Sequence, residues 1–351
     1  MLPGRGGLTE GEPELNRPTI IDIARRVGVS KAAVSYALNG RAGVSAATRE
    51  RVLDVAAQLG WESGGPARTP AADRTGSVGV VLSRPPDELR SDPLVVQWLS
   101  GVEAALAQHG LSLQLALTPD QDAELLTYRR WWAERRIDGM IVTDLRACDP
   151  RPQLLRELGI PAVVVGDHER FGNVAVLRHI EREEVHAVVD HLASLGHRRI
   201  GHVQGGPDLQ HTQNRSAALR GRVRERLGTD LVKAEADSTE SGGVRASWRL
   251  LAADPPPTAI VYDSAVMAVA AVARSAELGT RVPDELAVLS WQDSMLCRVV
   301  TPQVTALAQD DEQHAEAAVH LLLELIETGT ADDLELPPRV LVPRASTEGK
   351  S

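Results

Sequence analysis

From Ser77 to about Arg344 the chain alternates short apolar runs with longer amphipathic stretches, and few architectures accept that alternation. The apolar runs are Val78–Leu82, Leu111–Leu117, Met140–Val142, Ala162–Val165, Ile200–Val203, Ala259–Tyr262 and Leu286–Leu289. Helical spacing fills the gaps at Val95–His109, Ala123–Arg135, Glu184–Leu195, Arg215–Leu227, Gly242–Ala253 and Ala265–Glu277. Strands this short and continuously apolar are buried on both faces, which requires parallel sheets with helices on either side. The expectation is an α/β region of two doubly wound parallel sheets, because 351 residues are too many for one ordinary core. Ligands of open α/β sheets bind beyond the carboxyl ends of the strands.

Several function classes are excluded at this stage. No apolar run approaches the roughly 20 residues that a membrane-spanning helix needs, so no membrane partner is expected. The opening residues MLPGRGGLTEGEPELNRP lack the apolar core of a secretion signal, and only two cysteines occur, Cys148 and Cys297. Both facts fit a reducing, cytoplasmic and nucleoid-associated setting. The histidines are scattered without metal-ligand spacing, and no nucleophile elbow, P-loop or dinucleotide fingerprint appears in context. Neither a metal, a cofactor nor an enzymatic activity is therefore expected.

The first sixty residues have a different texture. Ile20, Ile23, Ala24 and Val27 repeat at helical spacing after Thr19, a good helix cap, and Gly28 follows where the chain must reverse. Ser30 then caps a second helix with Ala33, Val34, Ala37 and Leu38 as its apolar stripe; Ser45 opens a third. Two short helices joined by a Gly-containing turn, with a third in support, make a helix-turn-helix. In that plan the second helix enters the major groove of DNA. Lys31, Ala32 and Tyr36 are the candidate base contacts: Lys31 can donate to guanine acceptors, and Ala32 offers a methyl to thymine. The short polar residues Thr19, Ser30, Ser35, Asn39, Ser45 and Thr48 sit at helix starts and turns, where phosphates are usually held. Charge agrees. The net charge of −10 divides into +2 over residues 1–75 and −12 over the rest, so the small unit can approach DNA.

The run from Thr19 through Asn39, T-I-x-D-I-A-x-x-x-G-V-S-x-x-x-V-S-x-x-L-N, and the V-S-x-x-T-R-x-x-V run from Val44 through Val52 resemble the head of the lactose-repressor (LacI/GalR) family. RRIDGMIV, GIPAVVVG, HLASLGHRRIGHVQG and VPDELAVLSWQDS resemble its effector domain, a relative of periplasmic sugar-binding proteins. The likeness runs from Pro18 to about Arg344. It implies two lobes crossed three times by the chain, with a small molecule in the cleft between them. The expected layout is a disordered tail at 1–16, a helix-turn-helix domain at 17–62, a hinge at 63–76 and an effector-binding and dimerisation domain at 77–344, with a tail at 345–351. The first lobe is expected at about 77–178 and 307–328, the second at about 179–306 and 329–344.

The resemblance also shows where this sequence departs from the family. In the hinge ESGGPARTPAADRTG, the minor-groove wedge leucine is replaced by Pro70 and a helix-capping asparagine by Gly64, so a weak hinge helix is expected. Arg68 is read either as a minor-groove arginine or as an exposed linker residue. Arg215, after the G-G-P loop, matches the family arginine that bridges sugar hydroxyls; it is expected at a helix start, where its charge opposes the helix dipole. Gln292 and Asp263 with Ser264 stand in altered strand-end motifs and remain able to hydrogen-bond. Ser83 and Arg84 form the opposing wall, and only Asp237 stands near the position of a ring-stacking aromatic.

The expected function is a sequence-specific regulator, a repressor, that binds a pseudo-palindromic DNA operator as a homodimer. A small polar, sugar-like effector modulates it. The alternative is a regulator that no longer senses a ligand.

Overall fold

The computed structural model describes residues 20–38, 44–58, 74–84, 92–167 and 173–348. They fall into two units, one ending at Asp73 and one beginning at Arg74. The expected tail at 1–16, the hinge residues 63–73 with Arg68 and Pro70, and the caps Thr19 and Asn39 lie outside the described residues.

The small unit contains α1 (Ile20–Val27), α2 (Lys31–Leu38) and α3 (Ala46–Gln58). Its core is Ile23, Ala24, Val27, Val34, Ala37 and Val52, the stripes that helical spacing marks out. The turn between α1 and α2 depends on Gly28, whose φ of 75° lies in the left-handed region that side chains with a Cβ avoid. Its N–H and that of Val29 both donate to the Ala24 carbonyl, which closes α1. Ser30 Oγ accepts from Ala33 N at 3.2 Å, and Ser45 Oγ accepts from Thr48 N at 3.2 Å, so both serines cap the helices they precede. Arg51 on α3 donates to the Val27 carbonyl, tying α3 to the end of α1.

The large unit is built on two six-stranded sheets. The first has the order β11-β5-β4-β3-β1-β2, with β1 Ser77–Leu82, β2 Ser112–Leu117, β3 Gly139–Val142, β4 Ala162–Val165, β5 Val174–His179 and β11 Leu334–Leu336. The second has the order β12-β10-β9-β8-β6-β7, with β6 Ile200–Gln204, β7 Val232–Glu235, β8 Ala259–Tyr262, β9 Ala287–Ser290, β10 Thr305–Ala308 and β12 Val340–Val342. Every pairing is parallel except β10 with β12. The central strands β3 and β8 are buried at every position, as their continuous apolar sequence requires.

Helices cover both sheets. Around the first lie α4 (Pro93–Gln108), α5 (Gln121–Ala133), α6 (Arg151–Leu158) and α12 (Asp311–Thr328). Around the second lie α7 (Glu181–Ser194), α8 (Gln210–Leu227), α9 (Glu240–Leu251), α10 (Ala265–Ala273) and α11 (Met295–Val299). Helices α4 and α12 approach so closely at Gly101 that a Cβ there would lie 2.9 Å from Ala315 Cβ. Trp131 on α5 is buried in the core beneath the first sheet.

The chain passes between the lobes three times, near Ile180, Gln309 and Pro337, as expected. The return path corrects the expected boundaries. Leu334–Leu336 pairs with β5 and so belongs to the first lobe, whereas 307–308 completes β10 in the second. The expected tail at 345–351 is structural through 348. Ser346 Oγ donates to Val288 O at 2.6 Å and accepts from Thr305 N at 2.8 Å, and both Ser346 and Thr347 are buried. A serine and a threonine at a chain end look like solvent-exposed tail in sequence; here they satisfy backbone groups at the margin of β9 and β10. The presumed hinge likewise ends early, since Thr75 N and Gly76 N donate to the Asp138 carboxylate at 2.7 and 2.8 Å. No helix among the described residues is long and apolar enough to cross a membrane.

Candidate functional site

In the small unit, α2 begins at Lys31 immediately after the Ser30 cap, and the Lys31 side chain is exposed. Ala32, Ser35 and Tyr36 lie on the same helix. Ser30, Ser45 and Thr48 cluster at the N-terminal ends of α2 and α3, with the Ser45 and Thr48 hydroxyls 2.8 Å apart. Helix N-termini carry unpaired N–H groups and a positive dipole end, so this arrangement suits phosphate.

In the large unit, the carboxyl ends of both sheets' parallel strands line a cleft between the lobes. One cavity there, about 690 Å³, is bounded by Arg84, Asp144 and His179 from the first lobe and by His211, Arg215 and Gln292 from the second. A continuation toward the crossings is lined by Trp98, Val165, Leu307, Gln309 and His314.

Arg84 follows β1 and forms a bidentate pair with Asp144, which follows β3, through Nε–Oδ2 and Nη2–Oδ1 contacts of 2.6 Å each. Ser83 Oγ is buried and makes no hydrogen bond among the described residues. Gln292 projects beyond β9, and its side-chain amide has no partner among those residues.

Arg215 departs from expectation. Helix α8 begins at Gln210, so Arg215 sits in its second turn, buried, and the argument from an exposed helix start does not hold. Its Nη1 donates to Asp263 Oδ1 at 3.0 Å and its Nη2 to Glu181 Oε1 at 3.1 Å. The guanidinium carbon lies 4.6 Å from the centre of the Trp291 ring, a cation–π contact.

Asp263 and Ser264, expected to face the ligand, are occupied inside the second lobe. Asp263 Oδ1 also meets His202 Nε2 at 3.0 Å, and Oδ2 accepts from Gly205 N at 3.0 Å. Burial raises the Asp263 pKa, but attraction to His202 and Arg215 overrides it and holds the carboxyl well below the usual carboxylate range. Ser264 caps α10, with Oγ accepting from Val266 N. Asp237 is fixed in the turn before α9 by Thr239 and Arg245.

Three histidines and an indole went unnoticed in the sequence. His211 faces the cavity from the first turn of α8; burial and Arg215 depress its pKa to about 4. His179, ending β5, and His314, in the first turn of α12, stack with ring centroids 4.8 Å apart. Burial first, then the charge of Arg339, lowers His314 to about 4, so both it and His211 are neutral near pH 7. Trp98 supplies an aromatic face from the first lobe, whereas the resemblance directs attention to the second. Only the order of the strands brings these residues together; no local motif marks them.

Residues 19–63 match bacterial regulatory proteins of the lacI family, and residues 189–347 match a periplasmic binding protein-like domain. An HTH-type transcriptional regulator in the aml 5′ region of Streptomyces limosus is 32% identical over 357 residues, covering 96% of each chain. The chain belongs to the lacI family. It is a DNA-binding transcriptional regulator of that family and not an enzyme. CelR of Thermobifida fusca, another HTH-type transcriptional regulator, is 29% identical over 91% of this chain and 95% of its own. The structure of a CelR–cellobiose complex superposes with a TM-score of 0.70 at 28% identity, covering 94% of this chain and all of that one.

Proposed function

We propose that this lacI-family regulator is a repressor that binds a pseudo-palindromic operator as a homodimer and is modulated by a small, polar, sugar-like effector in the interlobe cleft. The observation that carries the effector reading is the cleft itself. Its walls come from both lobes, and its floor is made by the three crossings, so a ligand touching both walls changes the balance between lobe arrangements. The cellobiose bound to CelR, a relative over nearly the whole chain, supports a carbohydrate. Gln292, Ser83, Arg84 and Arg215 are the proposed contacts from the original set, and His211 joins them. Asp263 and Ser264 position Arg215 and α10, and Asp237 lies at the cleft mouth.

For DNA we propose base contacts from Lys31, Ala32 and Tyr36 and phosphate contacts from Thr19, Ser30, Ser35, Asn39, Ser45 and Thr48. Arg68 and Pro70 would lie in the minor groove, between a head at 17–62 and the large unit. Dimerisation is supported by apolar side chains left in solvent. These are Leu115 and Leu117 on the edge strand β2, Trp248 on α9, and Met295 and Val299 on α11. Such a dimer, acting on the nucleoid in the cytoplasm, presents two heads to two half-sites.

The test is fluorescence anisotropy of the full-length chain on its operator, repeated with a panel of mono- and disaccharides and nucleosides. One panel member should change operator affinity by about tenfold or more, a coupling of ordinary size. Unchanged affinity with every compound, joined with no thermal stabilisation, instead favours a regulator that has lost its ligand.

A further inference from the structure

The charged and neutral side chains of the cleft divide sharply in how they are satisfied. Arg84 is held by Asp144 and Asp92, Arg215 by Asp263 and Glu181, and Arg339 by Glu184 at 3.1 Å. Asp293 receives both Nη atoms of Arg344, at 2.9 and 2.7 Å. The Asp311 carboxylate is taken by the amides of Gln97 and Gln309. The cations and anions that remain, Arg182 and Glu335, are exposed at the rim and opposite in sign.

The neutral groups show the reverse. Ser83 Oγ, His179 Nδ1 and both ring nitrogens of His314 are buried with no hydrogen-bond partner among the described residues. Buried polar atoms are rarely left so, and His314 is only 7% exposed. Gln292 adds a side-chain amide without a partner.

We infer that the cleft selects an uncharged carbohydrate, excludes its phosphorylated or acidic forms, and seats the apolar face of the sugar ring on Trp98. The inference rests on the effector reading above and specifies which ligands satisfy it. A phosphate or carboxylate entering this cleft gains a cation only by displacing the carboxylate that already holds it. That leaves a buried acid unpaired, which is strongly unfavourable. A hydroxyl meets the neutral orphans instead, completing hydrogen bonds whose absence is costly. The indole of Trp98, with Val165 and Leu307 beside it, offers the apolar surface that the C–H face of a pyranose packs against.

The experiment is calorimetry on the full-length chain with cellobiose, maltose and glucose, each set against a charged counterpart: cellobionate, maltose 1-phosphate and glucose 6-phosphate. At least one neutral sugar is expected to bind, with its charged counterpart weaker by about 100-fold. Trp98→Ala should weaken that neutral sugar by about tenfold and Trp98→Phe by less, with thermal unfolding confirming that both variants fold. A charged counterpart that binds as tightly as its neutral sugar overturns the charge selection while leaving the effector reading in place. Unchanged affinity in both Trp98 variants overturns the seat. Absence of binding by all six compounds, with DNA binding intact, overturns this inference and the effector reading together.

Discussion

Arg215 on α8 reaches Asp263 at the end of β8 with a 3.0 Å hydrogen bond, and both residues are buried. That one contact joins the helix bearing His211 to the strand end that anchors His202 and Gly205. It gives Arg215 a structural duty besides any contact with a ligand.

Removing the guanidinium leaves a buried carboxylate with one fewer charge partner. Arg215→Ala should therefore destabilise the large unit by about 3–5 kcal/mol, the usual consequence of breaking a buried pair from one side. Urea unfolding of the full chain, followed by circular dichroism, measures this. A loss below about 1 kcal/mol would mean that Arg215 serves the ligand alone.

Gly28 tests the small unit. Its φ is 75° and a Cβ would meet nothing within 4 Å, so Gly28→Ala costs conformational strain without a clash. The expected loss is about 1–2 kcal/mol of head stability, with operator affinity falling in parallel. Thermal unfolding of the variant and anisotropy on DNA report the two effects. Neutrality would show that the α1–α2 turn adopts another geometry.

The cleft histidines predict a pH dependence. His211 and His314 ionise near 4 in the fold, against 6.5 ordinarily, so the unfolded chain binds more protons between those values. Their contribution is fully present above about pH 6.5 and is lost as pH falls toward 4, at about 1.4 kcal/mol per pH unit for each group. His314→Gln should flatten the slope measured by urea unfolding between pH 7 and 5, a window above the carboxylate range. An unaltered slope would show that His314 is solvated and titrates normally.

Lys31 is exposed at the start of α2, so Lys31→Ala should relax preference at one operator position, by about 1–3 kcal/mol at the favoured base. Competition binding against single-base operator variants checks it. Equal weakening on every sequence would make Lys31 a phosphate contact.

The parts of this fold legible in the sequence were those written in local chemistry. Gly28, Ser30 and Ser45 announce their turn and caps, and the apolar runs announce β1, β3, β4 and β8. Strand β7, VKAE, carries too few apolar residues to stand out, and β11 and β12 are three residues each. They exist because a neighbouring strand end needed pairing, which is a tertiary cause. Ser346 and Thr347 were misjudged for the same reason. Within the cleft, Arg215 and Gln292 were found from motif positions. His179, His314, Arg339 and Trp98 belong to four separate segments, and only the crossings bring them to one cavity. Asp263 shows the converse. Its motif position was legible, but its use inside the lobe followed from His202, which lies 61 residues earlier in the sequence.

The central claim is that this chain reads a defined DNA sequence as a two-headed regulator. Its most direct test is selection of bound sites from a random DNA pool by the full-length chain, with recovered sites remeasured at low and high salt. The account predicts a pseudo-palindrome whose preference over random DNA persists at high salt. Binding that vanishes with salt and yields no consensus would contradict it.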